Sequence, residues 1–283
     1  MKRAHILFIV LSITLVSCHN QDKKETSTSK PEEPKDTTII AGVYHFQFGD
    51  VELWTLQDKA NTMPMDLFPD ADKKVVKELV PTGEADAAVN TFLIKRNGKY
   101  ILFDAGLGLD KGGALMDQLV MLGIQNSDIS AVCLTHFHGD HIGGLLTNGE
   151  ASFPNATIYC AAKEQETWKN DKAARQMMAT YDGHVKTFNG GETILGDIAT
   201  KAAPGHTPGH TLYQVGNVLI IGDLLHAAAL QLPHPEFSAK YDQDKQTAVK
   251  TRQEFYQYIK DNHLVVAGMH LPFSGVMEDF PEE

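Results

Sequence analysis

Three histidines and an aspartate fall within six consecutive positions: His136, His138, Asp140 and His141. The apolar run 129–134 leads into them and Gly143-Gly144 follows shortly after. On a helix His136 and His138 would point to nearly opposite sides, whereas on a strand they share one face. The pattern therefore calls for a buried strand that ends in a bending loop and turns four polar side chains into one cleft. Imidazole and carboxylate suit zinc and its divalent neighbours. One loop cannot saturate two metal ions, and further ligand types stand at the ends of other predicted strands. These are His206 within the turn-rich segment APGHTPGHT, Asp223 closing VLIIGD, and His270 after LVVAGM.

Around these positions the chain reads as alternating strands and helices. VYHFQF and VELWTL flank Gly49-Asp50, TFLIKR and KYILFD flank Asn97-Gly98, and TLYQV and VLIIG flank Gly216-Asn217. Each pair predicts a hairpin, with positive φ at the turn. Helices are predicted over 114–122, 161–168, 172–180 and 244–260, the last with Val249, Phe255 and Ile259 as its apolar residues. Strands are predicted at 129–134, TIYC, 184–188, 198–203 and LVVAG. Two β-rich halves, each covered outside by helices, imply an α/β fold of four layers, an αββα sandwich.

The ordered set closely resembles the metallo-β-lactamase superfamily. Its successive motifs are HxHxDH, a Gly-His after a strand, an acidic residue after a strand and a late histidine, and here they span residues 42–273. The resemblance implies that His136, His138 and His206 hold one metal ion and Asp140, His141 and His270 a second, with Asp223 bridging. His210 occupies the position that orients a ligand. Two divalent ions, zinc foremost, would acidify a shared water to a bridging hydroxide and polarise the substrate oxygen. Asp140 and Asp223 would relay the proton to the leaving group.

The di-iron oxygen-reducing branch carries Glu where this chain has His138, and antibiotic-hydrolysing branches usually lack an acidic residue at the Asp223 position. A bridging carboxylate fits lactonase, glyoxalase and phosphoesterase branches better, which leaves β-lactamase activity as a minor alternative. The stretch GDLLHAAALQLPHPEFSAKYDQD resembles the branch of methyl parathion hydrolases and quorum-quenching lactonases. The activity implied is hydrolysis of lactones or esters, N-acyl-homoserine lactones first, with organophosphate triesters as the alternative substrate. The better-known acyl-homoserine lactonases place a tyrosine three residues after the bridging aspartate. Here His226 stands there, either as a proton donor or as a packed residue. Phe137, Leu225, Leu230, Leu232 and the loop 63–68 are candidates for an apolar pocket or for core. A metal-binding lipoprotein without turnover is a further alternative, against which stand seven potential ligands, more than a closed structural site uses.

The chain opens with Lys2 and Arg3, an apolar core over 6–16 and Leu15-Val16-Ser17-Cys18, the pattern of an export signal. The apolar run is short for a bilayer span, and LVSC resembles the bacterial lipobox. The expectation is a signal over 1–17, a lipid anchor at Cys18, a polar tether over 18–38 and one hydrolase domain over 39–283. The protein would face the periplasm or the cell surface, or else carry an ordinary signal with a nearby cysteine. Formal charge is −11 and becomes two units more negative when Lys2 and Arg3 leave with the signal. Such a surface repels polyanions, so nucleic acid is not an expected partner. Cys133 and Cys160 sit in apolar runs and read as buried small residues. The branch resembled leaves room for a homodimer.

Overall fold

The computed structural model describes residues 38–281. The expected signal, Cys18 and residues 19–37 of the expected tether lie outside them. Six strands come first: β1 (Thr38–Ile40), β2 (Val43–Phe48), β3 (Val51–Pro64), β4 (Glu84–Arg96), β5 (Lys99–Phe103) and β6 (Ile129–Cys133). A two-stranded hairpin, β7 (Leu146–Thr147) and β8 (Glu150–Ala151), stands apart. Strands β9 (Thr157–Ala161) and β10 (Val185–Phe188) then complete an eight-stranded sheet in the order β1-β2-β3-β4-β5-β6-β9-β10. The second sheet runs β11 (Thr193–Ile194), β12 (Ile198–Ala202), β13 (Thr211–Val215), β14 (Val218–Ile220), β15 (Val265–Ala267) and β16 (Val276–Met277) in sequence order.

Residue-by-residue alternation fixes the layers, because successive side chains on a strand face opposite sides. On β4 and β5, Phe92, Ile94, Ile101 and Phe103 turn inward and meet Tyr213, Val215, Ile220 and Val265 of the second sheet. Their neighbours Leu93 and Leu102 turn outward. There they pack with Leu115 and Leu119 of α2 (Leu115–Met121) and Met177 of α5 (Lys172–Thr180). On the far side Leu212, Leu219 and Val266 pack against Tyr256 and Ile259 of α7 (Lys245–Asp261). The result is the expected αββα sandwich. Each fully buried aliphatic or aromatic side chain contributes roughly 1.5–3 kcal/mol.

The three expected hairpins form as antiparallel pairs, and Asn97, Gly98 and Gly216 carry the positive φ their turns need. Two details differ. The buried stripe of α7 is Ala248, Thr251, Arg252, Tyr256 and Ile259, so Val249 lies beside it. Arg252 is drawn in because its guanidinium donates to the carbonyls of Leu224, Pro235 and Phe237 and to Asp242. In addition, β3 continues through residues 59–64, paired with β4, where a loop was expected from residue 63. Cys133 and Cys160 are both buried and free, on opposite faces of the first sheet.

Candidate metal centre

All seven expected ligand residues converge, from strand ends of both sheets. The loop after β6 carries His136 and His138, and α3 (Gly139–Ile142) carries Asp140 and His141. His206 follows β12, Asp223 follows β14 and His270 follows β15. Gly222, at φ +50, lets the chain turn so that the Asp223 N–H donates to His210 Nε2 at 3.0 Å, and a side chain on Gly222 would collide with that ring. His210 Nδ1 in turn contacts the Ala203 carbonyl at 3.1 Å. It therefore orients Asp223 through the backbone, as expected.

Two clusters face each other across Asp223. In the first, His136 Nε2, His138 Nδ1 and His206 Nε2 stand 2.9–3.2 Å apart, and Asp223 Oδ2 lies 3.2 Å from His206 Nε2. In the second, His141 Nε2 and His270 Nε2 lie 3.1 and 3.2 Å from Asp223 Oδ1, with Asp140 3.8 and 3.6 Å from the same two nitrogens. The outer nitrogen of four of these rings is tied: His136 to Thr135 Oγ1, His141 to Asp104, His206 to Asp242, and His270 to the Ala88 carbonyl. Such outer partners set the tautomer and aim the inner nitrogen.

This donor set fits two cations. Three inner ring nitrogens pointing at one another cannot all be satisfied by protons between them, whereas a tetrahedral ion bound at about 2.0–2.1 Å spaces its nitrogens by about 3.3 Å. His141 Nε2 and Asp223 Oδ1 are also buried without a hydrogen-bond partner, a costly arrangement unless a ligand takes them up. The residues separate into the same two groups by mutual distance, with Asp223 nearest the first.

Charge is distributed unevenly. Burial, reinforced by the neighbouring histidines, pulls His136 well below the usual imidazole range and His138 down to about 4. Burial also opposes charge on His141 and His270, but Asp223 and Asp140 outweigh it. His141 ends well above its usual value, with Asp104 adding to the effect, and His270 is raised to about 9. Asp223 and Asp140 are held below the carboxylate range, since His141 and His270 override the cost of burial.

Above the ligands opens a cavity of 610 Å³, lined in part by Met63, Pro64, Leu67, Asp140, His226 and Tyr241. His226 is buried, with Nε2 3.2 Å from Asp223 Oδ2 though poorly aligned for a hydrogen bond, and its ring stacks on His270. Burial lowers its pKa, leaving a neutral imidazole. Met63 and Leu67 line the cavity as expected of the 63–68 segment, but Met65 and Phe68 pack into a core cluster with Leu230. Phe137 and Leu225 belong to the two outer helix–sheet cores, and Leu232 packs partly buried beside Leu225. None of Phe137, Leu225, Leu230 or Leu232 lines the cavity: Phe137, Leu225 and Leu232 face the outer helix–sheet cores, and Leu230, within the short helix Ala228–Gln231, faces the Met65 cluster.

The supporting carboxylates were not anticipated. Asp104 accepts from the Thr135 N–H and hydroxyl while holding His141. Glu164 accepts from the Phe137 and Gly209 N–H groups and the Thr207 hydroxyl, clamping the two ligand loops together. A signal for Asp104 did exist: it closes the apolar strand KYILF as Asp223 closes its own.

Residues 86–270 match the metallo-β-lactamase superfamily. The chain belongs to this superfamily. Among solved structures it is similar to the hydrolase AbOPH, with a TM-score of 0.80 and 30% identity over 87% of this chain and 96% of that one. It is also similar to AidC, a dizinc quorum-quenching lactonase, with a TM-score of 0.77 and 26% identity over 83% and 92% of the respective chains. YobT, an uncharacterized protein of Bacillus subtilis strain 168, is 29% identical over 58% of this chain and 76% of its own. Ribonuclease Z of Thermobifida fusca strain YX is 28% identical over 56% of this chain, which spans about half (53%) of that relative. This superfamily member is thus a metal-dependent hydrolase with His/Asp clusters suited to binding metal.

Proposed function

We propose that the protein opens neutral lactones and related carboxylic esters, N-acyl-homoserine lactones foremost. The observation that carries this reading is the cavity. Its floor is His138, Asp140, Asp223, His270 and His226, and its walls, from Met63, Pro64, Leu67 and Tyr241 with the neutral Asn61 and Thr62, carry no charge. Such walls take up an uncharged acyl chain and offer an anionic tail no counter-charge. The likeness to the lactonase AidC supports the same choice.

When bound, the two cations supply a nucleophile at neutral pH and Lewis-acid polarisation of the scissile carbonyl. The chain's own residues do the rest. Tyr241 is 48% exposed and lies 5.9 Å, ring to ring, from His226, so it roofs the bound acyl group. His226, neutral and short of partners, donates a hydrogen bond to the ester as charge builds on it. Asp140, ionised and partly open to the cavity, accepts the nucleophile's proton and returns it to the departing alkoxide. An uncharged phosphotriester suits the same neutral walls and is the second reading. Export and lipid attachment at Cys18 belong to this proposal through the sequence pattern alone.

The test is a screen of zinc-loaded protein against N-acyl-homoserine lactones of graded acyl length and methyl parathion. The expected result is turnover of the lactones with the higher kcat/KM. Exclusive turnover of the phosphotriester would replace the first reading by the second, and turnover of neither would remove both.

A further inference from the structure

Asn61, Gly139 and Asp140 line both the main cavity and a second hollow of 380 Å³ beside it. Two lysines line it. Lys59 projects from β3, and its Nζ donates to the Lys111 carbonyl at 3.3 Å. A side-chain carbon placed on Gly139 would stand 3.1 Å from Lys111 Nζ, so this ammonium sits against the backbone between His138 and Asp140.

Among the described residues, the lysine ion pairs within 4 Å join Lys169, Lys240, Lys245 and Lys250 to carboxylates, and neither Lys59 nor Lys111. Asp58, beside Lys59 in sequence, accepts from the Leu107 and Leu115 N–H groups and feels the Lys59 charge without pairing with it within 4 Å. Within this hollow the two ammonium groups share the lining with one carboxylate, Asp140, in a chain of net charge −11. With the Asp140 charge engaged by His141 and His270 on its other side, the two ammonium groups can attract an anion within a Debye length of about 8–10 Å.

The proposed reaction generates such an anion. Water adds to the acyl carbon, the acyl C–O bond breaks, and the leaving oxygen takes one proton. The second proton passes to solvent, and a neutral substrate becomes a carboxylate and an alcohol. We propose that Lys59 and Lys111 form an anion-receiving subsite that takes up the product carboxylate as it leaves the ligand cluster. The cavity above the ligands would then admit the uncharged substrate and the lysine arm would receive the charged product. This inference rests on the substrate being a neutral ester or lactone.

The experiment compares zinc-loaded wild type with the double variant Lys59→Gln/Lys111→Gln, both sites being exposed. Inhibition of 4-nitrophenyl acetate hydrolysis by N-hexanoyl-homoserine is measured beside its uncharged amide, with direct binding of both by calorimetry. The expected result is a roughly three- to tenfold weaker affinity for the carboxylate at low salt, shrinking as salt is raised. Affinity for the amide should stay within about twofold. An unchanged carboxylate affinity would overturn the proposal, and so would an equal loss for carboxylate and amide. Absence of lactone turnover would count against the substrate reading alone, because calorimetry still reports on the lysines.

Discussion

The two halves of the metal centre use similar side chains yet differ in charge before any cation arrives. In the His136, His138 and His206 half, burial and mutual repulsion depress His136 and His138, so those imidazoles present lone pairs at neutral pH. In the Asp140, His141 and His270 half, carboxylates hold both histidines protonated, His270 up to about pH 9. The first half is set for a cation, whereas the second must lose protons to receive one. Asp223 reaches into both, so a cation in the first half withdraws negative charge from the pair that keeps His270 protonated.

Asp223→Ala breaks the comparison outright. It should remove the shared ligand, reduce metal content below two per chain and bring hydrolysis to background; full turnover in that variant would refute the assignment. Next in size is His226→Phe. His226 touches His206, His270 and Asp223 but belongs to neither ligand group. Metal content should stay at two while kcat for a lactone falls about a hundredfold, within the 10²–10⁴ range of general acid–base catalysis. Unchanged lactone turnover would make His226 a packing residue.

Asp242→Ala and Asp104→Asn then sharpen the contrast. Asp242 is held ionised, its pKa about 2: burial opposes the charge, but His206, His226 and Arg252 outweigh it. It orients His206, so its loss should weaken the first cation by about 10–100-fold. Asp104 orients His141, and its change should weaken the second cation instead. Competition with a chromophoric chelator separates the two.

The smallest effect is in protons. A histidine raised in the folded state stabilises the metal-free protein most fully below its unfolded pKa of about 6.5. That contribution fades as pH rises through the folded value of about 9. The affinity of the second cation should therefore climb across the same window, and calorimetry in buffers of different ionisation enthalpy should show proton release on binding the second cation and little on the first.

Much of this arrangement was legible in the sequence because strand ends announce themselves. His136, Asp223 and His270 each close or follow a short apolar run, and the fold needs only to bring those ends to one edge. What stayed hidden depends on contacts between distant segments. Asp242, just before α7, and Arg252, in its middle, look like ordinary charged residues until the guanidinium is seen fully buried against three carbonyls. Tyr241 gives no periodic signal, since it sits on a loop placed by Asp242. The pocket residues failed differently: Leu225 and Leu230 are near His226 in sequence, but the loop that carries Leu225 turns it toward α7 and the short helix Ala228–Gln231 turns Leu230 toward the Met65 cluster.

The central claim is a pair of cations straddling one carboxylate. Anomalous diffraction from zinc-loaded crystals tests it most directly. The expected map has two peaks, one among His136, His138 and His206 and one among Asp140, His141 and His270, with Asp223 touching both. A single peak, or two peaks that leave Asp223 uncoordinated, would contradict it.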